Sequence, residues 1–336
     1  MTTNVETISQ PGVGIISRIR EMGFSAIYRK YGTLLIFFGI FILASLMDDA
    51  FLTTANLTNV LRQVVVISLL ACGVTFIIIL GHIDVSLGSV VALTGTIAAS
   101  VMSMTGDLSL AIAAGLFAGL LTGVINGVVV TYFKIPSFIM TLAMTTVARG
   151  AILLYTAGVP VSDLGEDFQI IGQGNIGGFP ISVLILVVAV AICWVTLHRT
   201  RFGRHVYAVG GNAKAALASG INSDGVIRKA FIINGVLAAV AGIVLMSRIN
   251  SGQPAAGVGY EFDAITAVVV GGTSLMGGTG SMMGTLIGSL IIGIINNILN
   301  LMNVSSYWQQ VVKGLIIAVA VILDVMTKSA GARKKS

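Results

Sequence analysis

The sequence predicts an all-α membrane protein of about ten transmembrane helices, and three observations carry that prediction. Charged residues make up only 10% of the 336-residue chain against 56% hydrophobic ones, with a mean hydropathy of +0.99, whereas a soluble domain carries about 25% charged residues. Apolar runs close to the roughly 20 residues that span a bilayer recur between short polar breaks. The basic residues sort into alternate breaks, as a topology signal would.

Residues 1–31 read as a polar cytoplasmic tail, with Arg18, Arg20, Arg29 and Lys30 ahead of the first apolar run and no cleavable signal pattern. Ile15, Ile19, Met22 and Ile27 share one side of a helical wheel. They suit either a short amphipathic helix on the membrane surface or a mobile tail. A transmembrane domain follows over 32–327. Its spans fall at 32–47, 58–80, 86–104, 109–131, 137–156, 180–197, 228–248, 264–275, 282–302 and 307–326. The eighth, at 12 glycine-rich residues, is too short to cross alone and reads as a half-helix or re-entrant segment. Irregular backbone at membrane depth is tolerated only where protein shields it or where it faces a wet cavity. A basic tail, 328–336, closes the chain.

With both termini in the cytoplasm, ten crossings put 15 of the 19 Lys and Arg residues on the inner side. The external segments then hold Asp48, Asp49, Asp107, Asp163, Glu166, Asp167, Glu261 and Asp263. This is the positive-inside pattern. It also disposes of the nucleic-acid reading that a pI near 9.5 invites, because the cations lie in the loops and tails of a lipid-soluble chain. Cys72 and Cys193 sit inside apolar runs, with neither disulfide nor metal-ligand spacing.

A faint internal repeat runs through the chain. Asp84-Val-Ser-Leu-Gly-Ser-Val-Val-Ala-Leu-Thr94 is similar to Asp263-Ala-Ile-Thr-Ala-Val-Val-Val-Gly-Gly-Thr273, and Gly123-Val-Ile-Asn126 to Gly293-Ile-Ile-Asn296. The second to fifth spans thus match the seventh to tenth. On the ten-crossing topology the two units are inverted copies, a common transporter plan.

Catalytic signatures are missing. No phosphate-binding G-x-x-x-x-G-K-[ST] run, His-Glu zinc pattern or G-x-S-x-G elbow occurs, and His82, His198 and His205 read as residues of the membrane edge. The expectation is a non-enzyme without a cofactor of its own.

The largest hydrophilic segment is 198–229. Asn212 is a good N-cap, Ala213 to Ser219 a strong helix former, and Gly220 a good stop. A short helix of small side chains on the cytoplasmic face can lie close against another protein, and Ala216→Arg is then expected to block docking there.

Several long motifs, in order, resemble the permeases of ribose-type sugar ABC importers. They are Gly81-His-Ile-Asp-Val-Ser-Leu-Gly-Ser89 (with Val85 where the family usually has Leu), Arg201-Phe-Gly-Arg-His-Val-Tyr-Ala-Val-Gly-Gly-Asn212 with Ser219-Gly-Ile221, Gly259-Tyr-Glu-Phe-Asp-Ala-Ile265, Val270-Gly-Gly-Thr-Ser-Leu-Met-Gly-Gly-Thr-Gly280, Asn296-Asn297 and Ser305-Ser-Tyr-Trp-Gln309. The likeness runs from about residue 32 to 326. It implies a fold like that of type II ABC-importer permeases. It also implies a homodimer in the bacterial inner membrane, a cytoplasmic ATPase on separate chains that carries the ATP and Mg, and a periplasmic binding protein that delivers a monosaccharide. The ATPase-coupling helix would comprise Gly210, Gly211, Asn212, Ala213, Ala215, Ala216, Ser219 and Gly220.

Polar residues inside the spans supply candidates for the sugar path. Asn126 and Asn296, at matched repeat positions, suit either sugar hydroxyls or a clamp between helices. Phe138 and Trp308 suit either sugar C–H faces or interfacial anchoring. Arg149 and Lys313 lie deep in apolar runs and require the dimer interior, an acid partner or a route to the surface. The competing class is an ion-coupled secondary sugar transporter, which wants a membrane-buried acid. Asp84, Asp263 and Asp324 all fall near predicted helix ends instead.

Overall fold

The computed structural model describes residues 24–333. Most of the expected surface helix, before Phe24, lies outside the described residues. Thirteen helices and one small hairpin follow in order. They are α1 (Phe24–Met47), α2 (Thr54–Ile79), α3 (Leu87–Thr105), α4 (Leu108–Tyr132), α5 (Ser137–Thr156), α6 (Gly165–Gln173), β1 (Asn175–Ile176), β2 (Phe179–Pro180), α7 (Ile181–Arg199), α8 (Arg201–Gly211), α9 (Ala213–Ala218), α10 (Ser223–Ile249), α11 (Tyr260–Val270), α12 (Met282–Leu301) and α13 (Ser306–Arg333). Seven of them, α2, α3, α4, α5, α7, α10 and α12, are long and apolar enough to cross a membrane, and α1 adds a shorter apolar stretch, Gly32–Met47.

The core forms around α2, which is buried without a break from Val64 to Leu80. A helix that is apolar on every side has no solvent face to offer and belongs in the interior. α3, α10, α11, α12 and α7 pack against it or its neighbours. The outer helices turn bulky apolar groups outward, among them Phe117, Leu154 and Val187. Such a surface is suited to hydrocarbon rather than to water.

Association inside a bilayer cannot rely on the hydrophobic effect and depends on close backbone approach. On α4, Gly115, Gly119, Gly123 and Gly127 recur every four residues on the face toward α10 and α3. A methyl group on Gly119 would strike the carbonyl of Gly235, and one on Gly235 would strike the carbonyl of Gly119.

Two segments differ from the sequence reading. The stretch 198–229 is not a loop with one short helix, because α8 precedes α9 as a helix of its own. Val206 and Val209 of α8 are buried, with Phe202 half-buried beside them, so this apolar stripe holds the helix down despite its glycines. Between α5 and α7, α6 carries Glu166 and Asp167 in its first turn, where they complement the helix dipole, and a two-residue antiparallel hairpin follows. The eighth predicted span is displaced as well: α11 ends at Val270, and 271–281 is a glycine turn. The tails shrink too, because α1 already runs from Phe24 and α13 continues to Arg333.

Candidate translocation pathway and coupling helices

The chain is unwound at 80–86, between α2 and α3. Backbone groups freed in an apolar setting need partners, and α5 supplies them from one face. Ser137 Oγ accepts from the Ile83 amide at 3.1 Å, and Thr141 Oγ from the Val85 amide at 3.2 Å. Thr145 Oγ donates to the Val85 carbonyl at 2.9 Å. The four-residue spacing of these hydroxyls places them in line along the unwound strand.

Asp84 sits at the centre of this segment and is 3% exposed. One carboxylate oxygen accepts from the Ser86 amide at 2.8 Å and the Ser86 hydroxyl at 2.6 Å. The other accepts from Asn234 Nδ2 of α10 at 2.9 Å. Asn126 Nδ2 of α4 donates to Ser86 Oγ at 3.2 Å. The side-chain oxygens of both Asn126 and Asn234 are buried and have no partner.

A second buried carboxylate lies in the first turn of α11. Asp263 Oδ2 accepts from Lys313 Nζ of α13 at 2.8 Å and from Asn296 Nδ2 of α12 at 3.4 Å. Asn296 Oδ1 is likewise buried without a partner. As expected, Asp84 and Asp263 lie at helix ends, just before α3 and in the first turn of α11. Both face the interior, because the chain unwinds before α3 and begins α11 only at Tyr260, which sets these ends inside the bundle. The side chain of Asp324 lies outside the described residues.

The two cations set deep in apolar runs are accounted for differently. Lys313 has its acid partner. Arg149 Nη1 instead donates to the carbonyls of Pro254 and Ala256, at 2.5 and 2.9 Å, in the irregular 250–259 segment ahead of α11. Thus α5 supports two stretches of unwound backbone along one face, with hydroxyls at 80–86 and a guanidinium at 254–256. Of the four pathway candidates, Asn126 and Asn296 are buried and bonded to these two polar centres. Phe138 and Trp308 lie on the surface of the chain, 49% and 65% exposed.

At one end of the bundle, α8, α9 and the glycine turn form a block on α2. Gly278 N donates to the Ile79 carbonyl at 2.8 Å, and Tyr207 Oη to the Gly280 carbonyl at 2.8 Å. A methyl group on Gly210 would collide with the same Ile79 carbonyl, so α8 rests directly on the backbone end of α2. Gly210 and Gly211 therefore belong to the close of α8, not to the short helix.

Asn212 Oδ1 accepts from the Ala215 amide at 3.0 Å and caps α9. Ser219 Oγ donates back to the Ala215 carbonyl at 3.0 Å, and Gly220 turns the chain at φ +80°. Ala213 and Ala215 are exposed. Ala216 is not: at 5% exposure it faces its own protein, and an arginine there would disrupt this fold before it met any partner. The protruding apolar residue is Leu217, 67% exposed, which the sequence reading passed over.

Buried polar centres, broken helices and an apolar exterior are the marks of a membrane transport protein. Residues 56–321 match the family model described as branched-chain amino acid transport system / permease component, and the chain belongs to that family. It is 48% identical over 307 residues to the ribose import permease protein RbsC of Bacillus subtilis (strain 168), covering 91% of this chain and 95% of the relative. To the ribose import permease protein RbsC of Haemophilus influenzae it is 46% identical over 286 residues, 84% of this chain and 88% of the relative. To the L-arabinose transport system permease protein AraH of Escherichia coli (strain K12) it is 37% identical over 304 residues, 90% and 93%. No solved structure matches the chain. A permease component is a non-catalytic transport subunit and takes no cofactor of its own.

Proposed function

We propose that this chain is the transmembrane subunit of an ATP-driven importer that moves ribose or a closely related monosaccharide across the bacterial inner membrane. The observation that carries this reading is α9, a short exposed helix with a protruding leucine. It is bonded through α8 and the 277–280 turn to the end of the central helix α2. Such a lever suits a separate motor: closure of an ATPase on Leu217 would push α8 against Ile79 and bias α2 between two packings.

Ten crossings follow if α11 counts with its flanking loops. The loop before it pairs with Val161 through Gly252 at one end, and the turn after it bonds to Ile79 at the other. Both termini are then cytoplasmic, on the side of α8 and α9. The units α2–α5 and α10–α13 form an inverted repeat. Its support is the pairing of each repeat aspartate region with its matched asparagine, Ser86 with Asn126 and Asp263 with Asn296.

Two copies enclose the sugar path, with the exposed Trp308 and Phe138 toward the interface. A periplasmic binding protein delivers the sugar. The near-full-length identity to two ribose permeases supports ribose, and the arabinose relative widens the class to pentoses.

Radiolabelled ribose uptake into proteoliposomes tests this. Uptake is expected only with the partner ATPase, ATP and binding protein together. Uptake driven by a proton or sodium gradient alone would overturn it.

A further inference from the structure

One apolar crevice among the described residues belongs to none of this machinery. It lies between α7 and α10 and measures about 620 Å³. Its walls are apolar: Ile181, Val188 and Cys193 are among the residues on α7, and Ile232, Val236 and Val240 among those on α10. Both are helices long and apolar enough to span. Along α7 the crevice runs from Ile181 to Cys193, about 18 Å at a rise of 1.5 Å per residue. That is slightly more than half of a hydrocarbon core about 30 Å thick, the depth of one leaflet.

Two exposed basic side chains lie beyond the mouth where α7 ends and α10 begins. On α10, Lys229 is three residues before Ile232 and seven before Val236, which puts it on the crevice face one turn lower. On α7, Arg199 falls seven residues after Ile192, another lining residue, and so on the same face. Both are exposed. Among the described residues neither has an acidic partner, since the ion pairs there are Lys134–Asp224 and Lys313–Asp263. Arg199 stacks over the ring of Trp194, 5.4 Å from its centroid, and so stays at the mouth.

From these observations we infer that the α7–α10 crevice binds an anionic phospholipid of the inner leaflet. An acyl chain lies between the helices, and the phosphate sits between Arg199 and Lys229. A chain-deep apolar slot with two exposed cations, neither paired with an acid among the described residues, at the mouth where α7 ends matches an acyl chain below an anionic headgroup. The choice of leaflet rests on the orientation proposed above. The lipid site does not depend on uptake, so its failure and that of the transport reading are told apart by separate assays.

Trp194 is half-buried beside Cys193, and it becomes the sole tryptophan in Trp308→Phe, because the chain has two. We would reconstitute that variant into phosphatidylcholine vesicles containing increasing fractions of lipid with brominated acyl chains, either phosphatidylglycerol or phosphatidylcholine. Half-maximal quenching of Trp194 is expected at a clearly lower fraction of the glycerol lipid, by about fivefold for each basic side chain that reaches the headgroup. Arg199→Gln with Lys229→Gln should abolish that preference while both lipids still quench. Equal quenching by the two lipids before any charge is removed would overturn the inference. So would a preference that survives the double substitution, or no quenching by either lipid, which would mean that a second copy covers the crevice. The comparison in the unsubstituted crevice needs no folding-sensitive variant.

Discussion

Removing Lys313 should destabilise this protein more than removing both Lys313 and Asp263. The carboxylate of Asp263 is 3% exposed, and among the described residues its one strong partner is the ammonium at 2.8 Å, because Asn296 reaches it at just 3.4 Å. Lys313→Met therefore leaves a buried anion with one weak donor, and breaking a buried pair from one side costs about 3–5 kcal/mol. Asp263→Asn leaves the lysine, which is 29% exposed and can reach more polar surroundings, so a smaller cost of about 1–2 kcal/mol is expected. The double variant places a neutral amide beside a thioether chain and should lie near the milder single variant. The resulting coupling equals the cost of Lys313→Met itself, about 3–5 kcal/mol. Unfolding can be followed with a thiol-reactive fluorophore, because Cys72 and Cys193 are both buried and unpaired until the bundle opens. The expected order of midpoints is Lys313→Met lowest, then the double variant, then Asp263→Asn at or above it. Strictly additive midpoints, or a Lys313→Met protein as stable as its parent, would refute the claim that the ion pair is intact in the folded bundle.

Other consequences follow from the supporting contacts. Thr141→Val strips the Val85 amide of its acceptor in a fully buried setting and should cost about 1–3 kcal/mol, whereas Thr141→Ser should be mild, in the same thiol assay. Gly235→Ala drives a methyl into the Gly119 carbonyl and should cost about 1–3 kcal/mol. Gly150→Ala, in α5 with open space around it, should be neutral or stabilising by up to about 1 kcal/mol. Burial raises the Tyr207 phenol above its ordinary value. The folded protein thus holds that proton to higher pH than the unfolded chain, so the contact with Gly280 is fully present below about pH 10 and weakens as pH climbs through the raised value. Absorbance titration at alkaline pH should show a late-ionising phenol that Tyr207→Phe removes.

Features governed by local chemistry were legible in the sequence. The spans follow from hydrophobic length, and α9 begins and ends at its cap and its glycine because both act on neighbouring backbone. The eighth segment was visibly too short to cross, and α11 is an 11-residue helix. What could not be read is set by faces and by distant partners. Asn234 meets Asp84 across 150 residues, and nothing near either one announces the other. Ala216 and Leu217 are adjacent, yet one turns inward and the other outward, a choice made by how α9 seats on the bundle. Some signals were present and missed: the four-residue glycine ladder of α4, and the apolar stripe Phe202, Val206, Val209 that makes α8 a helix. The serine and threonine spacing of α5 was there as well, but its meaning appears only beside an unwound strand.

The account depends most on Leu217 as the contact through which a separate motor moves α2. ATP-dependent sugar uptake, measured with Leu217→Asp beside the parent in the same vesicles, tests this most directly. The account predicts that this variant inserts and unfolds like the parent but no longer retains the ATPase and transports at background rate. Full ATP-dependent uptake by Leu217→Asp would contradict it.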